Sequence, residues 1–459
     1  MKKSIIALAI LSAFSVSAYA ASQAEVFQDG NSNSATVNQD NNITPTFTSV
    51  TQTGDSNVAD VSQSLGKDTY ATVNSTGNAN QANIVQHNAW WVDATIQQNG
   101  TGNVAKILQD EMAPQTTPPL FADRASAGIV QGGTLNNATV NQVGTQLYPS
   151  DPGTGVKASV LQQGTENAAL INQSGLSPYT TARIEQLNQH ASYAEIGQTG
   201  PDNKGYILQD VGWDNQAKLF QQGTSNTATI KQIQDIWHAK AFVNQNGQFN
   251  QASVLQSVIS DSSMTNVNQF GETNSAEVTQ TQLTFGGQVW VMQSGQFNAT
   301  GVLQTQSSGA YAGVTQIGQG NSAGIGQESS PYSVATIWQE ANNNVANISQ
   351  TSATYSSAAV VQLSNSNHAL VKQDQATNVT AMIRQEGSTN NDAFVNQSGA
   401  FNDGTILQNG SGNVALITQS GAGTGALPNV ALIDQANAGH NASIYQAGGA
   451  GNVAKVYQK

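Results

Sequence analysis

Glutamine recurs through this chain at intervals of mostly 11 to 13 residues, and its neighbours recur in phase. Gln269, Gly271, Asn274, Ala276 and Gln280 are matched, position for position, by Gln316, Gly318, Asn321, Ala323 and Gln327. The same spacing holds for Gln52, Gly54, Asn57, Ala59 and Gln63, for Gln98, Gly100, Asn103, Ala105 and Gln109, and for Gln245, Gly247, Asn250, Ala252 and Gln256. Counted from the first Gln, Gly falls at +2, Asn at +5, Ala at +7, Val or Ile at +9 and the next Gln at +11. A unit this short cannot bury a core alone, so units must stack on one another. The pattern points to a built material rather than a pocket.

Within a unit the alternation has period two. Ala252, Val254 and Gln256 share one face, and Ser253 and Leu255 the other, which is strand periodicity. The Gly-x-x-Asn between paired strands reads as a tight turn, because Gly reaches unusual backbone angles and Asn hydrogen-bonds the turn. A looser turn joins one pair to the next. The Ala, Val/Ile, Gln, Gly and Asn positions hardly vary, while the alternate positions wander through Thr, Ser, Lys, Glu, Leu and Trp. A narrow interior tolerates little variation, so the uniform set is expected inside, with Gln and Asn amides in ladders along the stack. The predicted fold is all-β: an amyloid-like β-solenoid of stacked strand-turn-strand repeats, with about 18 two-strand turns between Gln28 and Gln458. Strict alternation of tight and loose turns fails between Gln186 and Gln209 and between Gln385 and Gln419.

The first 20 residues differ from the rest. Lys2 and Lys3 lead an apolar run from Ile5 to Val16, and Ala18, Tyr19 and Ala20 follow as a small-x-small site. This predicts a signal peptide over 1–20, an exported product, and a repeat region over 21–459. Three connections exceed the others, near 110–128, 143–157 and 420–429. The first two hold Pro114, Pro118, Pro119, Pro149 and Pro152. Proline is excluded from central strands, so these are expected as loop insertions at the edge of the stack.

Composition closes off other classes of function. Charged residues are 9% of the chain, against about 25% in an ordinary soluble domain. A formal charge of -13 without a basic stripe argues against a nucleic-acid partner. Without cysteine there is no thiol nucleophile and no thiolate metal site. His87, His190, His238, His368 and His440 lack metal-ligand spacing, and no nucleophile elbow or recurrent carboxylate pair appears. No catalytic residue, metal site or cofactor is expected. An apolar residue often precedes the Gln, as at Phe27, Leu108, Leu255, Met292, Trp338 and Tyr457. A continuous stripe of this kind would favour sideways association.

The spacing of Gln52, Gly54, Asn57, Ala59 and Gln63, repeated along the chain, resembles the curlin repeat of bacterial curli subunits. The resemblance implies a structural subunit rather than an enzyme, assembling with itself end to end into amyloid fibres of a biofilm matrix that serve adhesion. It also implies secretion, passage through an outer-membrane secretion pore, a nucleator subunit, and a place in extracellular fibres at the bacterial cell surface. Two features differ from the familiar subunits: the chain is far longer, and repeat-like sequence starts at Ala24 to Gln28 without a Gly-rich segment before it. A solenoid without capping units leaves open strand edges that template pairing with another chain. The alternative is a monomeric secreted β-solenoid adhesin or binding protein.

Overall fold

The computed structural model describes residues 22–111, 125–144, 155–175, 179–387 and 389–459. The expected signal peptide lies outside the described residues. The chain divides into two compact units, residues 1–230 and 231–459. Among the described residues the elements are 36 β-strands, of 6 to 11 residues.

In the first unit each strand pairs in parallel with the strand two places further along the chain. Gln23–Asp29 pairs with Phe47–Thr53, which pairs with Tyr70–Asn78. Ser34–Asp40 pairs with Val58–Ser64, which pairs with Gln81–His87. Odd-numbered strands thus form one sheet and even-numbered strands another. The pairing is in register by residue type: Ala59 opposite Ala82, Val61 opposite Ile84, Gln63 opposite Gln86. Val61, Gln63, Ile84 and Gln86 are fully buried, whereas Asp60 is exposed. A slip of one residue would turn every buried side chain outward, so the alternation pins the register. The second unit obeys the same rule, with Gln251–Ile259 on Ser275–Leu283 and Met264–Glu272 on Gln288–Gln296. The result is an all-β, two-sheet parallel β-solenoid fold of about 18 two-strand turns.

Glycine fills most of the tight turns for a steric reason. Gly54 has φ +106°, and a Cβ there would overlap the carbonyl oxygen of Gly77 in the next turn. Gly247, at φ +131°, stands in the same relation to Gly271. Two turns stacked about 4.8 Å apart leave no room for a side chain pointing along the stack. The looser edges are filled differently, by small apolar clusters: Ala89, Val92, Ala125 and Val156 in the first unit, Ile236, Ala239, Ile259 and Leu283 in the second.

The irregular register between Gln186 and Gln209 is absorbed by a β-bulge. Gln162 pairs with Gln186, but Gly164 pairs with Gln189, so two residues face one. In the next pairing Asn188 and Val211 are skipped together, each with a left-handed φ near 50°. The extra residue turns into the bulge while the flanking side chains keep their faces. Through this stretch the tight turn changes edge. Asn57 to Asn167 sit in turns that follow odd-numbered strands, whereas Asn203 and Asn226 follow even-numbered ones. A second bulge sets Asp374 opposite Ser398 and Ala376 opposite Gly399, with Gln375 as the extra residue.

The first long connection is shorter than the sequence pattern suggests. Ala125–Thr134 is a strand, with Ala125, Ala127 and Ile129 buried, so the segment expected as loop to 128 already re-enters the sheet at Ala125. The period-two alternation of Ala125, Ala127 and Ile129 is the physical reason. Asp110 and Val143 each end a strand, and Lys157 and Asn429 each begin one. Between Gln419 and Asn429 the chain makes a small closed loop, in which Thr424 and Leu427 exchange backbone hydrogen bonds at 3.0 and 3.1 Å.

Candidate functional site

The interior of each unit is wired by side-chain amides. In the first unit Gln63 Nε2 donates to Gln86 Oε1 and Gln86 Nε2 to Gln109 Oε1, both at 2.8 Å. Gln98 Nε2 donates to Gln131 Oε1 at 3.0 Å, and also to the carbonyls of Gln81 and Asn103. In the second unit Gln245 donates to Gln269 and Gln269 to Gln293, while Gln256 donates to Gln280 and Gln280 to Gln304, at 2.8 to 2.9 Å. Gln316 donates to Gln339 and Gln327 to Gln350. Each such bond contributes about 0.5–1.5 kcal/mol, and a buried amide left without its partner costs about 1–3 kcal/mol. The ladders therefore reward continuity.

A second ladder runs through the tight turns. Asn57 Nδ2 donates to the Gly77 carbonyl at 2.7 Å, and Asn57 Oδ1 accepts from the backbone N–H and Nδ2 of Asn80, both at 3.1 Å. Asn103 repeats this on Asn80, and Asn274 on Asn250. Asn321 Nδ2 donates to Ala341 O at 2.8 Å, Ala341 occupying a turn position that elsewhere holds glycine. Gly100, Gly271 and Gly318 all have positive φ, and Ala59, Ala105, Ala252, Ala276 and Ala323 are buried beside the ladders.

Three contributors escaped the sequence pattern. Gln189 lies in the bulge, 2% exposed. The orientation that satisfies its carboxamide lets Oε1 accept from the N–H groups of Asp210, Val211 and Gly212 while Nε2 donates to Ser192 Oγ and Gly212 O. Ser192 then takes the place of an Asn, its N–H donating to Asn167 Oδ1 at 3.1 Å. Thr48, Thr265 and Thr300 replace Ala and donate to Gln63, Gln280 and Gln316 at 2.7 to 2.8 Å, tying one sheet to the other. A hydroxyl at an Ala position was the available signal.

The ladders have a direction. In each unit the amide nitrogen of one turn donates to the amide oxygen of the turn later in the chain. Gln28 and Gln39 donate to Gln52 and Gln63, but among the described residues nothing donates to their own Oε1 atoms. In the second unit Gln446 and Gln458 accept from Gln419 and Gln435. Their Nε2 groups bond backbone carbonyls and no further Gln. The strands Gln23–Asp29, Ser34–Asp40 and Val453–Gln458 are exposed or half-exposed at every residue.

Charges lie outside. His87 meets Asp110 and His238 meets Asp261, each one turn on, at 2.7 and 3.0 Å. Asp261 is held below the usual carboxylate range by hydrogen bonds from Ser262 and His238. Burial and the neighbouring Glu195 push the Tyr193 phenol up to about 12. Among the described residues no group of three or more His, Asp or Glu could hold a metal ion. The outward stripe before the Gln is not continuous: Leu108 neighbours Val85 and Asn141, and Met292 neighbours Asn268 and Thr315.

Two parallel sheets whose stacked strands are joined by ladders of buried side-chain amides define a structural repeat fold. The repeats are curlin-like: the curlin associated repeat model matches residues 47–77 and 388–421, one stretch in each unit. A search of the curated proteins finds no match to the chain.

Proposed function

We propose that this protein is a secreted structural subunit that polymerises end to end into curli-like amyloid fibres, supporting a biofilm matrix and adhesion at the bacterial surface. The direction of the glutamine ladders carries this reading. Gln446 and Gln458 offer amide donors, and Gln28 and Gln39 offer the matching oxygens. A second copy brought to the exposed strands would continue both ladders in the geometry that already joins turn to turn, with its backbone edge extending the sheets. The signal-peptide pattern supports export, and the curlin-like repeats support an outer-membrane secretion pore and a nucleator subunit as partners besides the chain itself. No cofactor enters the assembly.

Electron microscopy and fibre diffraction of the purified protein test this. The expected result is unbranched fibres with a repeat of about 4.7–4.8 Å along the axis and about 10 Å across it. A protein that stays monomeric at high concentration with seeds added would overturn the proposal.

A further inference from the structure

The outer faces of the two sheets in the second unit differ in shape at the same turns. On the even-numbered strands, Trp290 and Trp338 project, each 43% exposed, with Met292 and Tyr311 beside them. On the odd-numbered strands the corresponding positions are Gly301, Gly324 and Gly326, and there the sheet carries a groove of ≈ 440 Å³. Leu303 is the outward apolar side chain lining it, Val302, Ile325 and Ile348 have side chains that face the core, and Glu277, Thr279, Asn347 and Ser349 line it too. None of the three glycines has a left-handed φ, and a Cβ on Gly301 or Gly326 would meet nothing within 4 Å. The backbone does not need glycine here, so Gly301 and Gly326 leave a hollow, while the Asn347 side chain lies over Gly324.

We infer that the groove receives the tryptophan face of a second copy of this chain, so that neighbouring fibres associate side by side, knob into groove. This rests on the fibre reading above. The occupant follows from complementarity of shape within one unit: a hollow with Leu303 in its lining on one face and large aromatic side chains on the opposite face of the same turns. Copies set side by side in one orientation present one to the other. The Trp338 indole N–H already donates to Glu340 Oε1 at 3.0 Å, so it is the Trp290 indole that takes the Glu277 carboxylate as acceptor.

The size of the contact determines where it operates. Four rungs of a five-residue strand face measure about 19 by 17 Å, or about 330 Å² per partner. The total of about 650 Å² falls well short of the roughly 1,200 Å² of a stable interface. One contact therefore does not hold two monomers together. Repeated once per subunit along two fibres, it becomes multivalent and holds.

The test uses two double variants of the full chain, Gly301→Thr with Gly326→Thr, and Trp290→Ser with Trp338→Ser. Threonine suits a strand better than glycine, so filling the groove spares the fold. Filament number per bundle is read by electron microscopy, and bundling by low-speed sedimentation. Wild-type fibres are expected to bundle, and each variant alone to give single filaments with unchanged elongation. Preformed fibres of the two variants, once mixed, are expected to pair, because one keeps its knobs and the other its groove. Mixed fibres that stay single overturn the inference. So does bundling that survives groove filling, which would make the tryptophan face a like-on-like contact. Wild-type fibres that never bundle overturn the inference alone, whereas a wild-type protein that forms no fibres overturns the fibre reading with it.

Discussion

Gln52 stacks on Ser75, and between them the glutamine ladder of the odd-numbered strands is interrupted. Gln52 Nε2 turns to the Ser34 carbonyl at 3.1 Å, and the short Ser75 side chain reaches only forward, to Gln98 Oε1 at 3.1 Å. Ser75 is nonetheless buried. Replacing Ser75→Gln supplies the missing rung and is expected to raise unfolding free energy by about 1 kcal/mol. The converse, Gln86→Met, strips a rung that bonds both neighbours at 2.8 Å and orphans the Gln109 oxygen, costing about 1–3 kcal/mol. Denaturant melting of the two variants should move in opposite directions. Equal midpoints would show that the amides do not stabilise the stack.

Two kinds of glycine should answer differently to a side chain. Gly247→Ala places a Cβ against the Gly271 carbonyl at φ +131°. The backbone conformation alone costs about 1–3 kcal/mol. Gly301→Ala enters open space on a strand face and should leave the melting midpoint unchanged or raised. A Gly247→Ala variant as stable as wild type would contradict the turn geometry.

Growth should depend on particular backbone groups. The carbonyls of Asn452 and Gln458 accept from Val430 and Ala436, at 2.7 and 2.8 Å. N–H and C=O of one strand residue point the same way, so 452, 454, 456 and 458 face the preceding strand of their sheet, and Lys455 and Tyr457 point away. Lys455→Pro removes an outward N–H, a position where a strand edge tolerates proline. Wild-type seeds should take up such a chain and then stall, while Lys455→Ala continues to elongate. Equal seeded rates for the two variants would rule out templating through this strand.

Alkaline pH should loosen the first unit. The Tyr193 phenol, partly buried and hydrogen-bonded to Glu195 at 2.9 Å, stays protonated up to about 12, whereas in the unfolded chain it ionises near 10. The native state holds the extra proton in that window, so stability falls as pH rises from about 10 to about 12. Burial and Glu185 shift Tyr206 in the same direction. Tyr193→Phe should flatten part of this slope in denaturant midpoints, with tyrosinate absorbance reporting the ionisation. A slope unchanged in the variant would assign the effect to other groups.

The ladders were legible because they repeat. Gln63, Asn57 and Ala59 recur at fixed offsets, because a side chain that stacks on its own copy tolerates few substitutes. The bulge was not legible. Between Gln186 and Gln198 the sequence shows only one residue too many and a missing Gly-x-x-Asn. That Gln189 turns inward to bind three backbone N–H groups of the next turn depends on Asp210, Val211 and Gly212, more than 20 residues further along the chain. The extent of the first long connection was misjudged for a related reason. Prolines marked its middle, while Ala125 and Ala127 are too small to signal a strand until the sheet covers them.

From sequence alone came the strand period, the stacking of like residues and the expectation that Gln and Asn amides lie inside, since each follows from which residues recur and at what spacing; the parallel pairing came from the structure. Only the tertiary structure decided which edge carries the tight turn, which way each ladder donates, which N–H groups of Val453–Gln458 point outward, and that Trp290 lies opposite a groove made by Gly301 and Gly326. These are relations between one turn and the next, or between the two faces of one turn. A periodic sequence specifies what stacks on what, but the direction of a hydrogen bond and the relief of a surface appear only when neighbouring turns are in place.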